Sequence, residues 1–152
     1  MRPALLAACG GFLLGVLWMD LMFDVQVLGA APETAVASIA AYYRRVTTEA
    51  RPMNQLVGLV MGLTILWAAA GTRDRAAGPG RWVALVCSVA PIGLAAGRVF
   101  PNAVRLGMNG MPPAEQLALA RGICRDHLLC FALMATFSAT QVLLIRAARR
   151  RA

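Results

Sequence analysis

The sequence predicts an all-α integral membrane protein, a four-helix bundle with two amphipathic interfacial helices on the non-cytoplasmic side. Three observations carry that prediction. The 152 residues are 59% hydrophobic with a mean hydropathy of +0.64, more apolar surface than a soluble domain of this size can bury. Four apolar runs, 4–23, 53–71, 82–100 and 127–145, are each long enough to span, since about 20 residues at 1.5 Å each cross a hydrocarbon core of about 30 Å. Between the runs, apolar residues recur at three and four, as on a helix with one wet face. Residues 1–152 read as a single membrane domain.

The first run holds Gly11 and Gly15 as a G-x-x-x-G pair. Leu6-Ala7-Ala8-Cys9-Gly10 imitates a lipoprotein cleavage box, but too few apolar residues precede Cys9 and the run continues past it. It reads as an uncleaved first span. It ends in Leu17-Trp18-Met19-Asp20-Leu21-Met22-Phe23-Asp24, where Asp20 and Asp24 sit one helical turn apart and share a face.

From Pro32 to Ala50, Val36, Ile39, Ala40, Tyr43 and Val46 form an apolar stripe, with Arg45 and Glu49 paired at spacing four on the wet side. Tyr42, Tyr43, Arg44 and Arg45 suit the lipid headgroup level. Arg51-Pro52 ends this helix, because the residue before proline is driven from the α region. The second run carries Gly58 and Gly62, and Thr72 to Arg81 reads as a tight hairpin loop between antiparallel spans. Pro91 predicts a kink in the third run, with Gly93 and Gly97 just beyond and Pro101-Asn102 closing it.

Pro112-Pro113 and Glu115 start a short helix through Ile123, with Leu117, Leu119 and Ile123 suited to a membrane surface; if it runs on into the fourth span, Arg121 and Arg125 share a face. The fourth run follows from His127, with Ala132, Ala135, Thr136 and Ala139 as a small-residue face, and the arginine-rich tail from Arg146 stops it. The three G-x-x-x-G pairs are expected to serve close packing between helices of this chain.

Every one of the 15 basic residues is arginine, giving a net charge of +8. They lie beside apolar runs, which favours membrane lipids as partners and argues against nucleic acid. Arg2, Arg73, Arg75, Arg81, Arg146, Arg149, Arg150 and Arg151 stand against Asp74 alone on one side, whereas the other side nearly balances. Both termini are therefore expected in the cytoplasm, in a bacterial inner membrane. Cys9, Cys87, Cys124 and Cys130 lack C-x-x-C spacing and read as small apolar filler.

Counting along the spans brings polar groups of all four helices to one level. Asp20 and Arg98 each lie roughly 24 Å from the cytoplasmic end. The candidate cluster is Asp20, Asp24, Asn54, Arg98, Asn102, Arg125, Asp126 and His127. It reads either as an ion-paired collar or as a ligand pocket opening outward. Asp20 is expected to pair with Arg98, and Asp24, a turn further out, to be wetter. Two aspartates with one histidine could suit Fe or Mn, but a single histidine in the chain is thin for a metal site. No phosphate-cradling glycine loop, nucleophile with adjacent base, or facing pair of haem histidines is present in the sequence.

Gly11-Phe-Leu-Leu-Gly15, Tyr42-Tyr43-Arg44-Arg45, Pro101-Asn102 and Arg125-Asp126-His127 together resemble the anthrone-oxygenase-like family of small four-helix membrane proteins, most of which have no known function. Many members have a His-Pro or similar pair soon after the first span; this chain has Asp20 and Asp24 there and no proline until Pro32. The resemblance implies mainly the fold, with any site at the outer end. Two functions follow as expectations. One is a non-catalytic or accessory membrane protein, with a membrane protein partner or a second copy of itself. The other is an oxygenase-like membrane enzyme acting on a lipid-soluble aromatic or quinone-like substrate.

Overall fold

A computed structural model describes residues 2–73, 78–108 and 110–150. Asp74 and Arg75 of the predicted hairpin loop, and Arg151 of the tail, lie outside the described residues. The described chain has helices and no strand. Helix α1 spans Arg2–Asp24 and runs into a 3-10 turn, Val25–Leu28. Helix α2 covers Pro32–Arg44 and passes into a π-helical turn, Arg45–Glu49. Helices α3, Met53–Thr72, and α4, Gly80–Leu94, follow; a π-helical turn, Ala95–Val99, joins α4 to α5, Phe100–Gly107. Helix α6 runs unbroken over Pro113–Arg149.

Four helical stretches are long and apolar enough to cross a membrane: Pro3–Leu28, Met53–Thr72, Gly80–Gly107 and Pro113–Arg149. Around them Trp18, Leu59, Leu66, Val86 and Leu143 all point outward, as a lipid-facing surface requires. Packing joins α1 to α3, α3 to α4, α4 to α6 and α6 to α1, a four-cornered bundle in which α1 and α4 sit on a diagonal. Its core is Leu6, Leu13, Ala68, Ala84, Cys87, Ile92, Met134 and Phe137.

At 37 residues α6 is far longer than a span, about 55 Å at 1.5 Å per residue. Its first third therefore stands beyond the bundle. There it packs with α2 and α5 around a second core that includes Val36, Ile39, Tyr43, Leu106 and Ile123. The short helix through Ile123 runs on into the fourth span as one helix, and the cap corrects one expectation, since Ile123 is fully buried in protein rather than turned to a surface. The helix of the third run does not close at Pro101 either. Proline lacks the N–H and crowds the carbonyl four residues back, and the π turn immediately before Pro101, whose bonds step to i→i+5, carries the helix through to Gly107.

The π turn after α2 changes a surface pair in the same way. Glu49 reaches Arg44 at 3.1 Å instead of Arg45, because a π turn brings the fifth residue, not the fourth, onto the same face. At the other end of the bundle Arg81 donates to the Gly71 carbonyl at 2.8 Å, satisfying one of the open acceptors at the end of α3.

Among the described residues, the three G-x-x-x-G pairs pack against no neighbouring helix. A methyl group added at Gly11, Gly15, Gly58, Gly62, Gly93 or Gly97 would meet nothing within 4 Å. Ala132, Thr136 and Ala139 are exposed as well. Close approach is carried by other glycines. A Cβ on Gly10 would lie 2.5 Å from Ser138 Oγ and 3.0 Å from the Phe137 ring, and one on Gly107 would lie 2.8 Å from the Arg44 backbone nitrogen. The period of a motif gives the face of its own helix, and only the assembled bundle decides which face is inside.

Candidate functional site

Between the two cores, α1, α2 and α6 enclose a polar network. Asp20 and Asp24 lie one turn apart on α1, and the consecutive Tyr42 and Tyr43 of α2 reach one each. Tyr42 donates its hydroxyl to Asp20 Oδ1 at 2.7 Å, and Tyr43 donates to Asp24 Oδ1 at 2.6 Å. Phe23 stacks on Tyr42 with ring centres 4.1 Å apart, fixing that ring. His127 of α6 completes the network, its Nδ1 2.6 Å from Asp24 Oδ2 and 3.3 Å from the Tyr43 hydroxyl. Its Nε2 faces Asp20 Oδ2 at 3.8 Å.

The chain contains one histidine and two tyrosines, and all three are here. A carboxylate only accepts hydrogen bonds, so with Asp24 ionised Nδ1 is the donor and a neutral His127 carries its lone pair on Nε2. Burial, and after it the neighbouring Asp20 carboxylate, pushes the Tyr42 phenol well above the usual tyrosine range. Burial and Asp24 do the same to Tyr43. Both therefore act as hydrogen-bond donors to the carboxylates.

On its bundle side the network meets an apolar hollow of about 60 Å³, lined by Leu13, Met61, Ile92, Cys130 and Met134 together with Asp20 and His127. That is room for roughly two water molecules. The imidazole is thus held at Nδ1 by Asp24, and the ring lines a partly open, mainly apolar hollow beside Asp20, which Nε2 faces at 3.8 Å. An oriented histidine of this kind can take up or release a proton at Nε2.

The predicted Asp20–Arg98 pair does not form. Equal depth left the direction around each helix open, and α1 and α4 stand on a diagonal with α6 packed against both. Helix α6 answers them with adjacent residues, His127 toward Asp20 and Asp126 toward Arg98. Arg98 Nε lies 2.9 Å from Asp126 Oδ2 and Arg125 Nε 3.7 Å from Oδ1. The first contact is Coulombic rather than an aligned hydrogen bond, since Oδ2 has no hydrogen-bond partner. Asp24 corrects the expectation of a wetter residue, for it is 0% exposed. The α2 cap covers it.

The other candidates divide. Asn54 leaves the cluster: its Nδ2 donates to the Thr47 carbonyl at 3.1 Å and pins the start of α3 to the π turn after α2. Asn102 and Arg125 line an open groove of about 570 Å³ between α5 and α6, with Arg98, Arg105, Glu115 and Arg121. Among the described residues no three His, Cys, Asp or Glu side chains are arranged to hold a metal ion. In the Asp20, Asp24 and His127 trio, the Asp24 oxygens are already engaged by Tyr43 and Nδ1.

Sequence reasoning missed Tyr42 and Tyr43, placing them among lipid headgroups. A signal existed: Tyr43 falls in the stripe Val36, Ile39, Tyr43, so it had to be buried, and a buried phenol requires an acceptor. Compared with models of known families, with curated proteins and with solved structures, the chain matches none.

Proposed function

We propose that this is a multi-pass protein of the bacterial inner membrane, with both termini in the cytoplasm, whose Asp24–His127 pair exchanges a proton with a lipid-soluble ligand. The observation that carries the reading is the environment of His127, with Nδ1 held by a buried carboxylate and the imidazole lining an apolar hollow beside Asp20, which Nε2 faces at 3.8 Å. The neutral imidazole takes a proton from the ligand's hydroxyl at Nε2, and the resulting cation is balanced by Asp24 at 2.6 Å and Asp20 at 3.8 Å. The hollow limits the ligand. An apolar cavity of about 150 Å³ accepts benzene, so a space of about 60 Å³ admits a hydroxyl or carbonyl oxygen and its nearest atoms but not a whole ring. The ring of an aromatic or quinone-like ligand would rest against Val16, Leu17 and Met61, the half-buried part of the lining.

A second reading, a non-catalytic accessory protein, is favoured by a different observation. Both tyrosine hydroxyls and both Asp24 oxygens are satisfied within the chain, as in a clamp that fastens α2 to the bundle. Nitrogen NMR of the single imidazole separates the two. Short-chain quinols and phenols added to the detergent-solubilised protein are expected to shift the Nε2 resonance and leave Nδ1 nearly unmoved. An Nε2 signal indifferent to every such ligand, with no lipid-soluble molecule retained through purification by mass spectrometry, would leave the clamp as the function.

A further inference from the structure

The groove between α5 and α6 is separate from the hydrogen-bond network and is built from different chemistry. Arg98, Arg105, Arg121 and Arg125 line it, with Asn102 between them and Ala118 and Gly122 leaving part of the wall low. Among the described residues, four guanidinium groups are set against two carboxylates that pair with them. Asp126 takes Arg98 and Arg125, and Glu115 takes Arg105 at 3.3 Å. Two positive charges are left over. The Arg105–Glu115 pair is more than half exposed on both sides, so it is worth little and yields readily to a better acceptor.

We infer that this arginine groove binds a phosphate group, carried either by an anionic lipid headgroup or by a small soluble phosphate. A phosphate monoester near neutral pH carries a charge of about −1.5 to −2, which matches the surplus. Its tetrahedral oxygens accept hydrogen bonds from several directions, and arginines from two helices supply donors from two sides of the groove, where a planar carboxylate would engage one fork. Depth agrees with a lipid source. Asn102 and Arg105 come just after the third apolar run ends at Phe100, and Glu115 to Arg125 come just before the fourth begins at His127. Helices that span with those runs would hold the groove where headgroup phosphates lie. At about 570 Å³ the groove is within the size of a small-molecule site and several times larger than the hollow at His127. The inference does not rest on proton exchange at His127.

The test uses the full chain in neutral detergent, with thermal stability and native mass spectrometry as readouts. One arm adds inorganic phosphate, against chloride at equal ionic strength; the other adds phosphatidic acid, against phosphatidylcholine. Stabilisation by phosphatidic acid alone supports the site with a headgroup as its ligand, and stabilisation by inorganic phosphate as well supports it with a soluble phosphate. Arg121→Gln and the double variant Arg105→Gln/Arg121→Gln are exposed changes that leave the Asp126 pair intact, and each is expected to weaken binding roughly tenfold or more. Arg149→Gln, at the far end of α6, is expected to bind as the parent does. Helical circular dichroism confirms that each variant is folded, and Arg121→Gln alone suffices if the double variant is not. The inference is overturned if neither anion acts, or if the groove variants bind as tightly as Arg149→Gln.

Discussion

Asp24 and His127 are 103 residues apart in the chain and meet at 2.6 Å, with the carboxylate wholly shielded from solvent. One lies near the end of α1, the other at the middle of α6, and α2 folds over the junction so that Tyr43 completes the carboxylate's hydrogen bonds. A buried carboxylate is tolerated only when its lone pairs are engaged. The cap and the site are therefore one construction.

Removing Asp24 is expected to be the most damaging change in the network. Asp24→Ala takes the partner from His127 and the acceptor from Tyr43, and breaking a buried pair from one side costs about 3 to 5 kcal/mol. Asp20→Ala, which removes one phenol bond and a 3.8 Å contact, is expected to cost less. Chemical denaturation in a fixed detergent ranks the two, and an equal or larger loss for Asp20→Ala would contradict the geometry.

Alkaline titration reads the tyrosines directly, because the chain has no others. Their folded pKa values are raised above the unfolded value of about 10. Their stabilisation is thus complete below about pH 10 and is lost as pH rises beyond it toward the folded pKa. Phenolate absorbance is expected to appear only together with loss of helical circular dichroism. Phenolate forming near pH 10 in a protein that keeps its helices would place both rings in water. Tyr43→Phe should cost about 1 to 3 kcal/mol by leaving a buried acceptor open.

A double-mutant cycle tests which acid Arg98 serves. Asp126→Ala and Arg98→Ala are expected to be less than additive, and Asp20→Ala with Arg98→Ala additive to within about 0.5 kcal/mol. Because Arg98 is half exposed, the coupling with Asp126 should be about 1 kcal/mol and fall with added salt. Coupling between Asp20 and Arg98 in place of this would mean that α6 does not separate them.

Two adjacent glycines make a clean comparison of packing. Gly10→Ala puts a methyl group against Ser138 and Phe137 and is expected to destabilise by about 1 to 3 kcal/mol. Gly11→Ala meets nothing and gains helix propensity, so it should be neutral or stabilising by up to about 1 kcal/mol. A reversed order in thermal stability would place the other face of α1 against α6.

Orientation is open to labelling of whole cells, in a background free of the native cysteines. A cysteine at exposed Met108 is expected to react with an impermeant maleimide and one at Gly78 to stay unmodified until the cells are opened. Modification at Gly78 in intact cells would invert the topology argued from the arginines.

The sequence by itself determined the helical class, the four apolar stretches and the level at which polar groups gather, because these depend on composition and on position along a helix. Hydropathy needs no partner, and a rise of 1.5 Å per residue fixes depth. Tertiary structure decided who faces whom. Asp20 and Arg98 lie on diagonal helices, so Asp20 meets Tyr42 and His127, and Arg98 meets Asp126. The length of α6 and the π turn before Pro101 built a packed cap where surface-lying amphipathic helices were expected, and the cap turned Asp24 from the expected wetter of the two aspartates into a fully buried one. The outward glycines follow the same rule: rotation about the helix axis costs a lone helix nothing in lipid, so the inward face is chosen only when neighbouring helices pack.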